Sequence, residues 1–312
     1  MAEILYGVFI GPFRDMAASP AFLIEVLLGG LFTGLMYSLV ALGFVLIFKA
    51  SGVFNFAQGV MVLFAALTLV GLMERGMPVA AALVLTMAVM VALAFFIERV
   101  VLRPLVNQEA IILFMATIGL NFFLEGFGEL LWGANVKKLD VGIPDRSFIV
   151  AGVQINQLEM SAAGTAAVLV AVLAVFFQRT RIGRALRAVA DDHEAALSIG
   201  IPLKTIWLIV WSVAGIVALV AGIMWGSKLG VQFSIGLVAL KALPVLILGG
   251  FTSVPGAIVG GLIVGVGEKL GEVYWGPLVG GAIENWFAYV VALVFLLFRP
   301  QGLFGERIIE RV

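Results

Sequence analysis

The sequence predicts an all-α fold, a polytopic bundle of transmembrane helices, and three observations lead there. Of 312 residues, 62% are apolar and 12% charged, with a mean hydropathy of +1.16. Soluble domains carry about 25% charged residues, and no soluble core could absorb this much hydrocarbon. The apolar residues fall in runs near the roughly 20 residues that cross a bilayer. The 37 glycines recur at four-residue spacing, as in Gly30/Gly34, Gly222/Gly226/Gly230, Gly256/Gly260, Gly261/Gly265 and Gly267/Gly271. In lipid that spacing lets helix backbones approach closely. The whole chain, 1–312, reads as one membrane domain.

Taken in order, spans are expected at 22–48, 53–73, 77–97, 110–131, 160–178 and 206–226. Two shorter apolar segments, 236–248 and 256–268, flank Gly249-Gly-Phe-Thr-Ser-Val-Pro-Gly256, and a last span covers 282–298. The total is eight or nine crossings, depending on whether the short pair crosses fully or forms broken, re-entrant helices. The first twenty residues lack a basic n-region and contain Pro12, Arg14 and Asp15. No cleavable signal peptide is expected, and the first span acts as its own membrane signal.

Charge bias in short loops sets orientation. Placing 179–205 in the cytoplasm brings Lys49, Arg99, Arg103, Lys204, Arg299, Arg307 and Arg311 to the same side. The long 132–160 loop, with Lys137, Lys138 and Arg146, falls outside, as does the N-terminus. Trp132, Trp225, Trp275 and Trp286 then lie near the outer interface, where indoles prefer to sit.

The main polar island is 179–201, with Arg179, Arg181, Arg184 and Arg187 close together. Such charge belongs in water beside the membrane. As a helix it would line Leu186, Val189, Ala190, His193 and Leu197 on one face, and Arg184, Arg187, Asp191 and Glu194 on the other. Gly200 before Pro202 supplies a stop. Arg187 and Asp191 are spaced to pair, a contact of about 0.3–0.5 kcal/mol when exposed. An amphipathic helix between two spans is a surface another protein can push on.

Inside the membrane, Asn55 and Gln58 share a face if their segment is helical, as do Thr117 with Asn121 and Thr33 with Tyr37. These side chains are either interhelical glue or the lining of a wet path for a polar or zwitterionic solute. Lys241 sits within an apolar segment and must pair, snorkel or face water. It is expected to anchor the short helix pair through carbonyls near 249–256, with a solute carboxylate as the other option. Glu268, Glu272 and Glu284 are expected to cluster with Lys269 at the outer rim.

Several function classes drop out. The formal charge is zero, so nucleic acid is not an expected partner. Cysteine is absent and His193 is the single histidine, which leaves no thiolate chemistry and no multi-histidine metal site. No cofactor and no enzymatic activity are expected. No lysine follows a glycine, so a phosphate-cradling P-loop is missing. Uphill transport would draw on an ion gradient or on an ATPase of another chain. A gradient-driven carrier could use discontinuous helices such as 236–268, but the apolar spans show no acidic proton relay at the membrane centre.

Glu194-Ala-Ala-Leu-Ser-Ile-Gly200 resembles the Glu-Ala-Ala…Gly signature of ABC importer permeases. Gly52-Val-Phe-Asn-Phe-Ala-Gln-Gly59, Thr117-Ile-Gly119, Lys241-Ala-Leu, Leu248-Gly-Gly, Pro255-Gly-Ala-Ile-Val-Gly-Gly261 and Arg299-Pro-Gln-Gly-Leu-Phe-Gly305 extend the likeness to the end of the chain. Together they resemble the branched-chain amino acid ABC transporter permeases of the LivH type. The resemblance implies the ABC importer permease class of fold, with 179–201 as a cytoplasmic coupling segment. Arg184, Arg187, Glu194, Ala195, Ala196 and Gly200 would then meet the ATPase, and Asn55, Gln58, Thr117, Asn121 and Lys241 would border the translocation path. It further implies a second permease (another copy or a paralogue), two cytosolic ABC ATPases, a solute-binding protein, surrounding lipid and a bacterial inner-membrane location. Two departures stand out. Gln58 replaces a histidine common in the family, and Phe251-Thr252 replaces Leu-Gly, so amides, urea or aromatic acids remain as solute alternatives.

Overall fold

A computed structural model describes residues 2–52, 54–105, 108–191 and 193–305, with 2–5, 110, 191, 193 and 194 described for the backbone alone. Two short helices, α1 (Ala2–Phe9) and α2 (Gly11–Ala18), precede the first long one, α3 (Pro20–Ser51). Proline at the first turn starts α3, and Gly52, at φ 68°, ends it in the left-handed region. Its 32 residues outrun the expected 22–48 because no breaker intervenes before Gly52.

The next helix, α4 (Gln58–Glu74), begins later than expected. Asn55 Oδ1 accepts from the Ala57 N–H at 3.1 Å, so the side chain closes a turn where a helix was predicted. Asn55 and Gln58 therefore do not share a helix face. Then come α5 (Val79–Phe96), which runs through a π turn to Leu102 and a 3-10 turn to Leu105, and α6 (Ala110–Trp132). The loop between α6 and the next helix carries one addition to the all-α expectation, an antiparallel hairpin of β1 (Ser147–Val150) and β2 (Val153–Asn156). Ala151 and Gly152, both at positive φ, turn it. Outside the membrane-spanning helices these backbone groups satisfy one another.

From α7 (Gln157–Arg179) the chain passes into α8 (Arg181–Asp191) and α9 (His193–Ser198), then α10 (Leu203–Leu229). The short pair is α11 (Ile235–Gly249) and α12 (Val254–Leu270), an antiparallel hairpin. A π turn prolongs α12 into α13 (Gly276–Val279), and α14 (Phe287–Phe298) closes the bundle. It starts after the expected 282 because Gly280, Gly281 and Ala282 hold positive φ.

Among the described residues six helices are long and apolar enough to cross a membrane, and α4, α11 and α14 are shorter apolar ones. That agrees with eight or nine spans, some of them short. The core is a seam between α3 and α12, the most extensive helix contact. A Cβ on Gly30 would stand 2.7 Å from Val266 Cα, and one on Gly34 would stand 2.6 Å from the Gly261 carbonyl oxygen. Ser38 Oγ adds a contact at 3.2 Å to the Ile258 carbonyl. Of the glycine pairs read from sequence, Gly30/Gly34 and Gly261/Gly265 thus belong to one interface, in which backbones touch because side chains are missing.

Lys49, the α8–α9 segment, the 250–253 turn and residues 302–305 gather at one end. Ion pairs Lys137–Glu74 and Lys228–Glu159 (2.7 Å) mark the other. At that second end Trp275 donates to the Val8 carbonyl at 3.0 Å, tying α1 down. Trp225, expected at the lipid interface, is instead buried and stacks on Tyr37 at 5.3 Å. Arg307 and Arg311 lie outside the described residues.

Candidate functional site

At the end bearing Lys49, the chain turns a corner at Thr180. Its hydroxyl donates to the Phe176 carbonyl at 2.7 Å and accepts from the Gly183 N–H at 3.1 Å, ending α7 and capping α8 with one side chain. Gly183 lies on the Phe177 carbonyl, where any Cβ would collide. Arg187 donates to that same Phe177 carbonyl at 2.8 Å and to the Gln178 carbonyl at 3.5 Å. Unpaired carbonyls at the α7 terminus attract a cation that reaches them, while the side chain of Asp191, the expected partner of Arg187, lies outside the described residues. Arg187 is therefore a strut of the α7–α8 corner. Replacing it with alanine should cost about 1–3 kcal/mol, since a charge-assisted bond is lost and a carbonyl is orphaned. A thermal-unfolding series in detergent, with lysine as the conservative comparison, checks this.

The remaining residues expected to meet the ATPase divide by exposure. Leu186, Val189 and Ala196 are buried, so Ala196 packs inward, contrary to its expected docking role. Arg184 and Ala195 are exposed. Leu197, expected on the same face as Leu186 and Val189, is 53% exposed, and its neighbour Ile199 is 74% exposed. The predicted stripe is thus buried at Leu186 and Val189 and exposed at Leu197. Gly200, at φ 85°, accepts the left-handed turn that ends α9. The side chains of Asp191, His193 and Glu194 lie outside the described residues.

The lysine that serves the short-helix hairpin is Lys49, whose Nζ donates to the Thr252 carbonyl at 3.4 Å. Lys241 was expected there and is elsewhere. The C-terminal signature completes the same corner. Leu303 N–H donates to the Leu248 carbonyl at 2.7 Å, and Phe304 N–H to the Gly249 carbonyl at 3.1 Å. These bonds satisfy the last carbonyls of α11. Gly302 is required by contact as well as conformation, since a Cβ would stand 2.6 Å from Gly250 N.

Within the bundle, Thr117 accepts from the Phe56 N–H at 3.0 Å and donates to the Phe114 carbonyl at 2.8 Å. It pins the turn before α4 to α6, which is glue. Gln58 is fully buried against Gly43, and neither amide atom has a partner among the described residues. Asn121 lines a cavity of about 130 Å³ with Glu125, Phe44, Phe54, Phe56 and Phe233. Thr117 and Asn121 thus act on different neighbours despite their shared helix.

Lys241 belongs to a second cavity, of about 340 Å³, between α3, α10, α11 and α12. Its Nζ donates to the Glu284 carbonyl at 2.9 Å and lies 3.8 Å from Glu268 Oε2. Tyr37 Oη donates to that same oxygen at 3.0 Å. Glu268 was expected on a solvated rim but is 4% exposed, held inward by these two donors. Glu272 accepts from the Ala282 and Glu284 N–H groups at 3.1 and 3.2 Å, so it shapes the loop before α14. Sequence reasoning also overlooked Glu98, which is buried and paired with Arg103 at 2.9 Å. Buried carboxylates are therefore present in the bundle, each beside a cation.

A family model described as the permease component of the branched-chain amino acid transport system matches residues 26–299. The high-affinity branched-chain amino acid transport system permease protein BraD of Pseudomonas aeruginosa is 30% identical over 305 residues, covering 93% of this chain and 98% of that one. LivH of Escherichia coli (strain K12) is 29% identical over 310 residues, with the same 93% and 98% coverage. The probable branched-chain amino acid transport permease protein LivH of Methanocaldococcus jannaschii is 27% identical over 303 residues, covering 90% and 92%.

Proposed function

The chain belongs to the family of branched-chain amino acid transport system permease components, and on that premise we propose that it forms half of an import path for branched aliphatic amino acids. It is a multi-pass membrane permease of an ABC importer. In this reading it sits in the bacterial inner membrane beside a second permease, a copy of itself or a paralogue. Two cytosolic ATPases grip its 179–201 segment, and an external binding protein delivers the solute.

The observation that carries the coupling role is the pairing of exposed Leu197 and Ile199 with exposed Arg184 in an otherwise hydrophilic connection. Apolar side chains placed outside the spans, next to charge, fit a protein partner with an apolar groove and an acidic rim. The corner would carry force well. Thr180 and Arg187 fasten α8 to α7, and Lys49 fastens α3 to the 250–253 turn. Movement of α8 would then shift α7 and the glycine seam together, and rock the path between outward-open and inward-open forms.

Vesicles carrying the chain with its second permease, ATPases and binding protein should accumulate labelled leucine, isoleucine and valine only when ATP is inside with the ATPases. Accumulation of solute against a gradient without any nucleotide-hydrolysing subunit would overturn the reading. Preference for an amide, urea or an aromatic acid would retain the machinery and change the solute.

A further inference from the structure

The cavity around Lys241 has features that packing alone does not explain. Its wall carries three ammonium groups, from Lys228, Lys241 and Lys269, and two carboxylates, from Glu268 and Glu284. Lys228 is engaged by Glu159 at 2.7 Å, and Lys241 lies 3.8 Å from Glu268, so the wall presents both signs of charge side by side. On residues of the same wall, Thr33 Oγ1, Trp225 Nε1 and Glu268 Oε1 are buried, and none has a hydrogen-bond partner among the described residues. Orphaned buried polar atoms are uncommon, and each calls for a partner that the chain itself does not supply. Leu229, Leu237 and Val238 complete the lining with hydrocarbon. The volume, about 340 Å³, falls at the small end of ligand pockets.

We propose that this cavity binds the zwitterionic headgroup of an α-amino acid, with the carboxylate toward Lys241 and Lys269 and the ammonium toward Glu268 and Glu284. The aliphatic side chain then lies on Leu237 and Val238. The site is a station at the outer end of the path, and it rests on the permease reading above. It also accounts for keeping a carboxylate at Glu268, since an anion so deep needs cationic partners to offset its desolvation. Tyr37 and Lys241 hold Glu268 Oε2 and leave Oε1 for the incoming ammonium.

The test uses the assembled transporter in nanodiscs without binding protein or nucleotide, and measures equilibrium binding of labelled leucine. Saturable binding is expected. Leucine amide, which lacks the carboxylate, and 4-methylpentanoate, which lacks the ammonium, should each compete about tenfold more weakly or worse, as expected when a charge-assisted bond is lost. Glu268→Gln and Lys241→Gln should weaken leucine binding by a similar factor. Lys269→Gln and Glu284→Gln, at less buried positions, repeat the measurement where misfolding is less of a concern. Leucine binding that is absent in the wild type, or that all four substitutions leave within twofold, overturns the site. If the same transporter, reconstituted in sealed vesicles with binding protein and ATP, still imports leucine, only the site is lost. If it does not, the permease reading falls with it.

Discussion

Gly34→Leu should prevent the bundle from closing. The first added carbon would stand 2.6 Å from the Gly261 carbonyl and 2.9 Å from Leu262 Cα, both backbone atoms that cannot swing aside. Overpacking a tight interior costs roughly 1–3 kcal/mol where neighbours can adjust, and here α3 and α12 would have to part along their length. Expression yield and the thermal midpoint in detergent should both fall sharply. Gly164→Ala is the control, because nothing lies within 4 Å of that glycine on α7. It should be neutral, or stabilising by about 0.5–1 kcal/mol through helix propensity. Equal behaviour of the two variants would remove the seam from its central place.

Leu197→Ser combined with Ile199→Ser should separate the permease from its ATPases without unfolding it. Both side chains are already exposed, and surface substitutions usually change stability by about 0.5 kcal/mol or less. Truncating the centre of a docking patch costs about 2 kcal/mol or more, roughly thirtyfold in affinity. ATPase subunits should be lost on size exclusion, and ATP-driven uptake should fall accordingly. Adding Arg184→Glu should deepen the defect in a salt-dependent way. Full co-elution and normal uptake in the triple variant would remove the docking assignment.

The two outcomes draw on parts of the molecule that were unequally legible. The spans could be read directly, since lipid demands long apolar helices and tolerates few alternatives. The seam was half legible. Four-residue spacing identified Gly30, Gly34, Gly261 and Gly265 as close-packing positions, but not that they meet each other. Polar side chains were the least legible. Helical periodicity placed Thr33 with Tyr37, yet nothing local could announce that Tyr37 donates to a carboxylate 231 residues away. Lys241 was recognised as needing a partner, and the wrong carbonyls were chosen because the nearest in sequence are not the nearest in space. Asn55 was misread for a different reason. Its apolar neighbours suggested continued helix, while its own amide competes for the backbone and closes a turn. Ala196 was assigned outward by the motif it shares with the family, and only its burial in the folded chain shows that it packs inward.

The seam also sets a timetable for biogenesis. Its α3 half leaves the ribosome early, whereas α12 follows only after most of the chain has been made. Throughout that interval the glycine furrow of α3 has no mate within the polypeptide, so an insertase or a bilayer lipid must line it and then withdraw. Translational pausing, or a shortage of such a chaperone, should therefore injure this permease well before it injures membrane proteins whose neighbouring helices pair as they emerge.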